Sequence, residues 1–271
     1  MRAEATVDRL GAMFSRCRAA NEAALVTYVM GGDPDLATSK AMALACVEGG
    51  ADLLEIGVPF SDPIADGPTI QHAAERALAR KTTPGDCLEV AAAVRARCQT
   101  PVALMGYLNP MLAYGLERFV ADCAGAGVDA LIVPDLLPEE AGELSALAAA
   151  RGVRTVFLLA PTSTPARVEA AARAATGFLY FVSVTGVTGA RAPDPAEIGP
   201  RVAAIREKSA VPVVIGFGVS TPEQARALAP LADGVVVGSA IVRKIAERGT
   251  REARAVRVAR LVRALKRALR R

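Results

Sequence analysis

Tryptophan is absent from the 271 residues, histidine occurs once, at His72, and aromatic side chains make up only 4% of the chain. So few rings leave no platform on which nucleic-acid bases would stack. A lone histidine with no second histidine or cysteine near it argues against a metal site. The five cysteines, Cys17, Cys46, Cys87, Cys98 and Cys123, are odd in number and show neither metal-ligand nor redox spacing. They read as small apolar residues in a reducing cytoplasm. No apolar run reaches the ~18 residues of a membrane span, and the first residues mix charges where a signal peptide would place an apolar core. The expectation is a cytoplasmic protein with no membrane and no nucleic-acid partner.

What is present is apolar bulk. Hydrophobic residues make up 52% of the chain, enough for two small domains or for one α/β barrel of ~250 residues. The net charge of +4 is unevenly placed. Residues 251–271 hold nine Lys or Arg against one Glu, so the remainder is acidic at −4. Within that tail Val258, Leu261, Val262, Leu265 and Leu269 form one helical stripe. Arg251, Arg254, Arg257, Arg260 and Arg263 recur every third residue and read as a solvated face.

Short β-rich runs alternate with helical patterns along the whole chain. Strands are predicted at 24–30, 53–58, 101–105, 130–133, 153–159, 178–183, 211–215 and 234–237. Helices are predicted at 6–20, 36–49, 70–80, from Thr83-Pro84 through Cys98, and at 116–126 and 138–150. Others begin at Thr164-Pro165, span 195–208, and open at a capping box in Ser220-Thr221-Pro222-Glu223, before two terminal helices. Apolar on both faces, the strands suit a parallel sheet covered by helices. Eight such units at ~30-residue spacing predict an α/β fold, a single closed (β/α)8 TIM barrel over residues 1–271 with an extra N-terminal helix to plug its bottom. An open doubly wound sheet is the alternative.

Barrel chemistry gathers where the strands end. The second strand carries Glu55 between Leu54 and Ile56, where a carboxylate is costly without a partner or a task. Buried, its pKa would rise toward neutrality, where proton transfer is efficient; the alternative is a side chain turned out to solvent. Asp62 and Asp66 follow in a loop broken by Pro59, Pro63 and Gly67, and Asp66 is either a second carboxylate or a turn former. The other strand ends offer Tyr28, Asp33, Tyr107, Asn109, Asp135 and Tyr180. Gly218 after the seventh strand, and Gly238 and Ser239 after the eighth, fit a phosphate cradle of backbone N–H groups at a helix start, although tight turns alone would use the same glycines. The segment Thr185 to Arg191, bracketed by Gly186 and Gly189, is a candidate lid or a plain surface loop. His72 reads as a surface or packing residue.

The run Leu54-Glu55-Ile56-Gly57-Val58-Pro59-Phe60-Ser61-Asp62-Pro63-Ile64-Ala65-Asp66-Gly67-Pro68-Thr69-Ile70-Gln71 closely resembles the signature of the tryptophan synthase α subunit family. Gly31-Gly32-Asp33-Pro34, Thr185-Gly186-Val187-Thr188-Gly189, Gly216-Phe217-Gly218-Val219-Ser220 and Val237-Gly238-Ser239-Ala240-Ile241-Val242 resemble its other fixed turns, in order, over roughly residues 10–250. The resemblance implies a lyase that splits indole-3-glycerol phosphate into indole and glyceraldehyde 3-phosphate by a retro-aldol cleavage. It implies Glu55 as the acid and base, and Asp66 as the acceptor of the indole N–H. Tyr180 would lie near the scissile bond, and Thr188 would orient Asp66. Gly189, Gly218, Gly238 and Ser239 would bind phosphate, and Tyr28, Ile64 and Met105 would line the indole slot. It further implies no cofactor in this chain, pyridoxal phosphate on a β chain, and an α2β2 heterotetramer joined by a tunnel, with Pro59, Asp62 and the segment around Asn109 facing the partner. A mainly allosteric subunit and a stand-alone indole-releasing lyase are the alternatives. Met30, where a threonine is usual, and Val182-Ser183-Val184 depart from the pattern without removing a catalytic group.

Overall fold

A computed structural model describes residues 8–182, 194–216 and 218–271. Eight parallel strands close into a barrel in sequence order: β1 (Ala24–Met30), β2 (Leu53–Gly57), β3 (Val102–Met105), β4 (Ala130–Ile132), β5 (Arg154–Leu159), β6 (Leu179–Val182), β7 (Val213–Gly216) and β8 (Gly234–Val237), with β8 paired back onto β1. The open-sheet alternative is excluded. The helices are α1 (Arg9–Ala19), α2 (Leu36–Gly49), α3 (Pro68–Ala79), α4 (Pro84–Arg95), α5 (Leu108–Tyr114), α6 (Leu116–Gly125), α7 (Gly142–Ala150), α8 (Pro165–Ala174), α9 (Pro195–Lys208), α10 (Pro222–Leu228), α11 (Ser239–Ala246) and α12 (Arg251–Ala268).

Local signals place most boundaries. The Gly50 cap sits in the left-handed region at φ 100° and stops α2. Thr83 and Asp86 form a reciprocal capping box at α4, ahead of Pro84. The box at α10 is shifted from the predicted one: Thr221 is the N-cap and Gln224 its partner, in place of Ser220 and Glu223. The turn before α7 delays that helix to Gly142. Helix α5 was not foreseen. Its Asn109-Pro110 pair looks like a loop, yet Pro110 is the third helical residue, where no intrahelical partner awaits its missing N–H.

Two apolar layers hold the barrel. One lies between the strands and the outer helices. The other fills the barrel, where Val26, Leu53, Ala103, Ile132, Val214 and Val236 join Leu10, Met13, Phe14 and Cys17 of α1. Phe14 meets Phe178 edge to face, with ring centroids 6.0 Å apart. Helix α1 therefore plugs the N-terminal end.

Charge anchors that plug. Asp52, Asp129 and Asp233 each precede an even-numbered strand, and each accepts a backbone N–H at the start of the neighbouring odd strand: Leu25 at 2.8 Å, Val102 at 2.8 Å and Val213 at 3.0 Å. Before β6 the Thr176 hydroxyl does the same for Thr155, at 2.8 Å. Arg9 and Arg16 of α1 reach Asp129 and Asp52 at 2.7 and 2.9 Å, and Arg18 comes to 4.0 Å from Asp233.

Helix α12 packs its Val258, Val262 and Leu265 stripe into the outer layer, beside α2. Arg251, Arg260 and Arg263 are exposed, as a solvated face requires. Arg254 and Arg257 depart from that expectation. They donate to the carbonyls of Ile245, Glu247, Arg248 and Gly249 at the end of α11 and in the turn beyond it, where helix carbonyls lack partners. All five cysteines are free, and all but the half-buried Cys98 are buried.

Candidate active site

Alternation along β2 decides where Glu55 points. Leu54 and Ile56 face the helices, whereas Leu53 and Glu55 face into the barrel, with Glu55 in register with Tyr28 on β1 and Ala103 on β3. Glu55 is 1% exposed, and its Oε2 has no hydrogen-bond partner. The outward-turned alternative is thereby excluded. Burial, and secondarily the charge of Asp66, push its pKa up to about 8.

Asp66 lies in the loop after β2. The Tyr107 hydroxyl donates to its Oδ2 at 3.1 Å, and Gln71 of α3 donates to its backbone carbonyl at 2.8 Å. Burial raises its pKa to about 6 against the opposing effect of the Tyr107 bond. The two carboxyls thus straddle neutrality, one favouring the proton and the other the charge.

Both line a cavity of about 470 Å³, open to solvent at the C-terminal end of the barrel, together with Tyr28, Ile70, Met105, Tyr180, Gly218, Val219, Val236, Gly238 and Ser239. Two glycines make room for the tyrosine rings. A Cβ on Gly57 would stand 2.5 Å from Tyr28 Cζ, and one on Gly216 2.7 Å from Tyr180 Cζ. The Tyr28 hydroxyl meets Met30 Sδ at 3.8 Å, so the residue that departs from the family pattern supplies a weak acceptor for a buried donor. In the same cavity lining, Gly218 adopts φ +82°. Gly238 caps the start of α11 with no side-chain bond, leaving a helix N-terminus directed at the cavity.

The structure brings together Tyr28, Glu55, Asp66, Met105, Tyr180, Gly218, Gly238 and Ser239. Ile64 is not with them: it is 78% exposed on the loop between Pro63 and Asp66, and Ile70, on the first turn of α3, takes the place in the slot. Thr188 and Gly189, with the rest of the candidate lid, lie outside the described residues. Asp33 is buried at the end of β1 in a two-bond pair with Arg76 of α3, at 2.7 and 2.9 Å, and does not line the cavity. His72 is exposed on α3. Among the described residues no cluster of His, Cys, Asp and Glu is fit to hold a metal. Tyr107 was legible only as a strand-end residue; its hold on Asp66 needs the fold.

A family model described as "Tryptophan synthase alpha chain" matches residues 14–270. The chain belongs to the tryptophan synthase alpha chain family. It is 52% identical over 263 residues to the tryptophan synthase alpha chain of Geobacter sulfurreducens, covering 97% of this chain and 99% of that one. Against the Caulobacter vibrioides alpha chain it is 49% identical over 241 residues, covering 89% and 88%. The structure superposes on Mycobacterium tuberculosis tryptophan synthase with a TM-score of 0.90 at 40% identity, covering 97% and 98% of the two chains. On the alpha subunit from Legionella pneumophila the score is 0.87 at 34%, covering 96% and 98%. As a tryptophan synthase alpha chain it is a carbon–carbon lyase of tryptophan biosynthesis that cleaves indole-3-glycerol phosphate, and its family implies a β-chain partner. Among the described residues no helix is long and apolar enough to cross a membrane.

Proposed function

We propose that Glu55 and Asp66 divide the work of indole-3-glycerol phosphate cleavage, Glu55 as the acid and base and Asp66 as the acceptor of the indole N–H. The observation that carries this assignment is a wholly buried carboxyl with a free oxygen, facing a cavity that is also lined by a helix start suited to phosphate. With a pKa of about 8, Glu55 enters the cycle protonated at neutral pH and delivers its proton to C3 of the indole. Positive charge develops on the ring nitrogen, and Asp66, ionised above about 6, accepts the indole N–H and stabilises that cation. The Glu55 carboxylate then takes the proton of the glycerol hydroxyl next to the scissile bond. As that oxygen becomes a carbonyl, the carbon–carbon bond breaks and its electron pair returns to the ring. Indole and glyceraldehyde 3-phosphate leave, and Glu55 is protonated again.

Gly218, Gly238 and Ser239 hold the phosphate, with Gly189 added from the loop that also carries Thr188. Tyr28, Ile70 and Met105 enclose the indole, and Tyr180 stands near the scissile end. The chain needs no cofactor of its own for these steps, pyridoxal phosphate being carried by the β chain of an α2β2 assembly in the cytoplasm.

The surface supports a partner on the same rim. The loops after β2, β3 and β4 stand side by side there. They expose Ile64 at 78%, Leu112 at 52% and Leu137 at 40%, three of the four exposed large apolar residues among those described. Asp62 and Asn109 are also exposed, whereas Pro59 is buried and belongs to the packing beneath.

The rate of cleavage is expected to be bell-shaped in pH, falling below about 6 as Asp66 gains a proton and above about 8 as Glu55 loses one. In Asp66→Asn the remaining activity, about a hundredth of wild type, should lose the acid limb. An unchanged profile would remove Asp66 from the mechanism. Indole release should rise about tenfold or more when purified β chain is added; an unchanged rate would mark a stand-alone lyase.

A further inference from the structure

Asp135 takes no part in the steps above, yet its carboxylate is committed to the backbone of another loop. It follows Val133-Pro134 beyond β4, in a turn closed by the Leu136 N–H on the Val133 carbonyl at 3.1 Å. Both of its oxygens accept the N–H of Leu108, at 3.0 and 3.2 Å. Leu108 is the first residue of α5, and the N-cap of that helix, Tyr107, makes no capping bond with its own side chain. A carboxylate from the β4 loop thus satisfies a helix donor on the β3 loop.

The Tyr107 hydroxyl is engaged in the opposite direction. It accepts the Ala65 N–H at 3.0 Å and donates to Asp66 Oδ2 at 3.1 Å, while its ring packs on Phe60 with centroids 5.4 Å apart. Three neighbouring loops are therefore tied in series, from Asp135 through Leu108 and Tyr107 to Asp66.

We propose that Asp135 is a positioning residue for the lyase reaction: by capping α5 from the β4 loop it holds the Tyr107 hydroxyl on the Asp66 carboxylate. The inference rests on the role given above to Asp66. The Tyr107 bond occupies Oδ2, leaves Oδ1 for the indole N–H, and opposes the burial that raises the Asp66 pKa. The other titratable groups facing Asp66 are Glu55 from β2, Tyr28 from β1 and Tyr180 from β6, and the Asp66 charge raises the pKa of each of them. Loss of the Asp135 cap frees the start of α5, and the Tyr107 hydroxyl drifts from its place.

The test uses the full chain with its β partner and four variants: Asp135→Ala, Asp135→Asn, Tyr107→Phe and the double variant Asp135→Ala/Tyr107→Phe. Asp135→Ala and Tyr107→Phe should each lower kcat/KM about tenfold and move the acid limb upward by about half a pH unit or more. The double variant should be no worse than Tyr107→Phe, because both changes act along one path. Asp135→Asn keeps an oxygen on the Leu108 N–H and should recover most of the rate. If Asp135→Ala does not fold, Leu108→Pro removes the donor at a helix position that tolerates proline and should shift the limb alike. A wild-type acid limb in the folded variants, or losses that multiply in the double variant, would overturn the proposal. Asp66→Asn separates the two ideas. A wild-type rate there removes the role of Asp66 itself, whereas an impaired Asp66→Asn beside a wild-type Asp135→Ala refutes Asp135 alone.

Discussion

Glu55→Gln is expected to lower the cleavage rate about 10³-fold while leaving the cavity and its affinity for inorganic phosphate in place. Glutamine matches the shape of the protonated carboxyl but cannot release a proton to C3 or take one from the glycerol hydroxyl. The same substitution should change stability with a definite sign. The folded pKa, about 8, lies above the ordinary 4.5, so burial disfavours the ionised form. Wild-type stability from this group is intact below about 4.5, declines as pH rises, and reaches its full deficit above about 8. The variant should therefore melt close to wild type at pH 5 and higher than wild type at pH 9, by an amount on the order of a few kcal/mol. Turnover near wild type would remove Glu55 from the chemistry. Equal melting at both pH values would show that the carboxyl is not held protonated by burial.

Asp52→Ala should be as large an effect on stability as Glu55→Gln is on rate. Asp52 is 4% exposed. It accepts the Leu25 N–H at 2.8 Å, Arg16 at 2.9 Å and Lys266 at 2.8 Å, and the Lys266 ammonium is shared with Glu22 at 2.7 Å. The bond to Leu25 joins β1 to β2, Arg16 brings in the plug helix, and Lys266 brings in α12. Truncation leaves the buried Leu25 N–H unpaired and the half-buried Lys266 ammonium with Glu22 alone, a loss of about 3 kcal/mol, or roughly 10 °C in Tm for a chain of this size. Glu48→Ala, an exposed change on α2, should stay within about 0.5 kcal/mol. At 25 °C the folded Asp52→Ala protein should cleave substrate at the wild-type rate, because Asp52 lies at the opposite end of the barrel from the cavity. A melting point unchanged by Asp52→Ala would show that the N-terminal charge ring adds nothing to stability.

These two residues mark how much could be read from the chain alone. Glu55 was conspicuous because a carboxylate inside an apolar strand is a local anomaly, visible within five residues. Asp52, one step outside the same strand, looks like any loop aspartate. Its value comes from Leu25, Arg16 and Lys266, the last of them 214 positions away. The same contrast runs through the site. Gly218, Gly238 and Ser239 were legible because strand order assigns the last two loops of a barrel to phosphate, and the barrel itself followed from spacing. Ile64 was assigned to the slot in place of Ile70. Ile64 stands in an irregular stretch where strand alternation no longer says which way a side chain points, and only the fold turns it outward and sets Ile70, on the first turn of α3, into the slot. Tyr107 and Asp135 were visible as strand-end residues but their roles were not, for a related reason: each acts across loops that neighbouring strands bring together.

What the sequence determined by itself, then, was what its short-range physics encodes. It set the eight apolar strands, the glycine stops and threonine caps, a large core, and a buried acid at the end of β2; the substrate came from resemblance to a family. Tertiary structure decided which polar groups meet: the aspartate ring under the barrel, the arginines on the end of α11, and the path from Asp135 to Asp66. Strand and helix propensities act over a few residues, but a hydrogen bond between loops exists only after the barrel has closed and set its strand ends side by side.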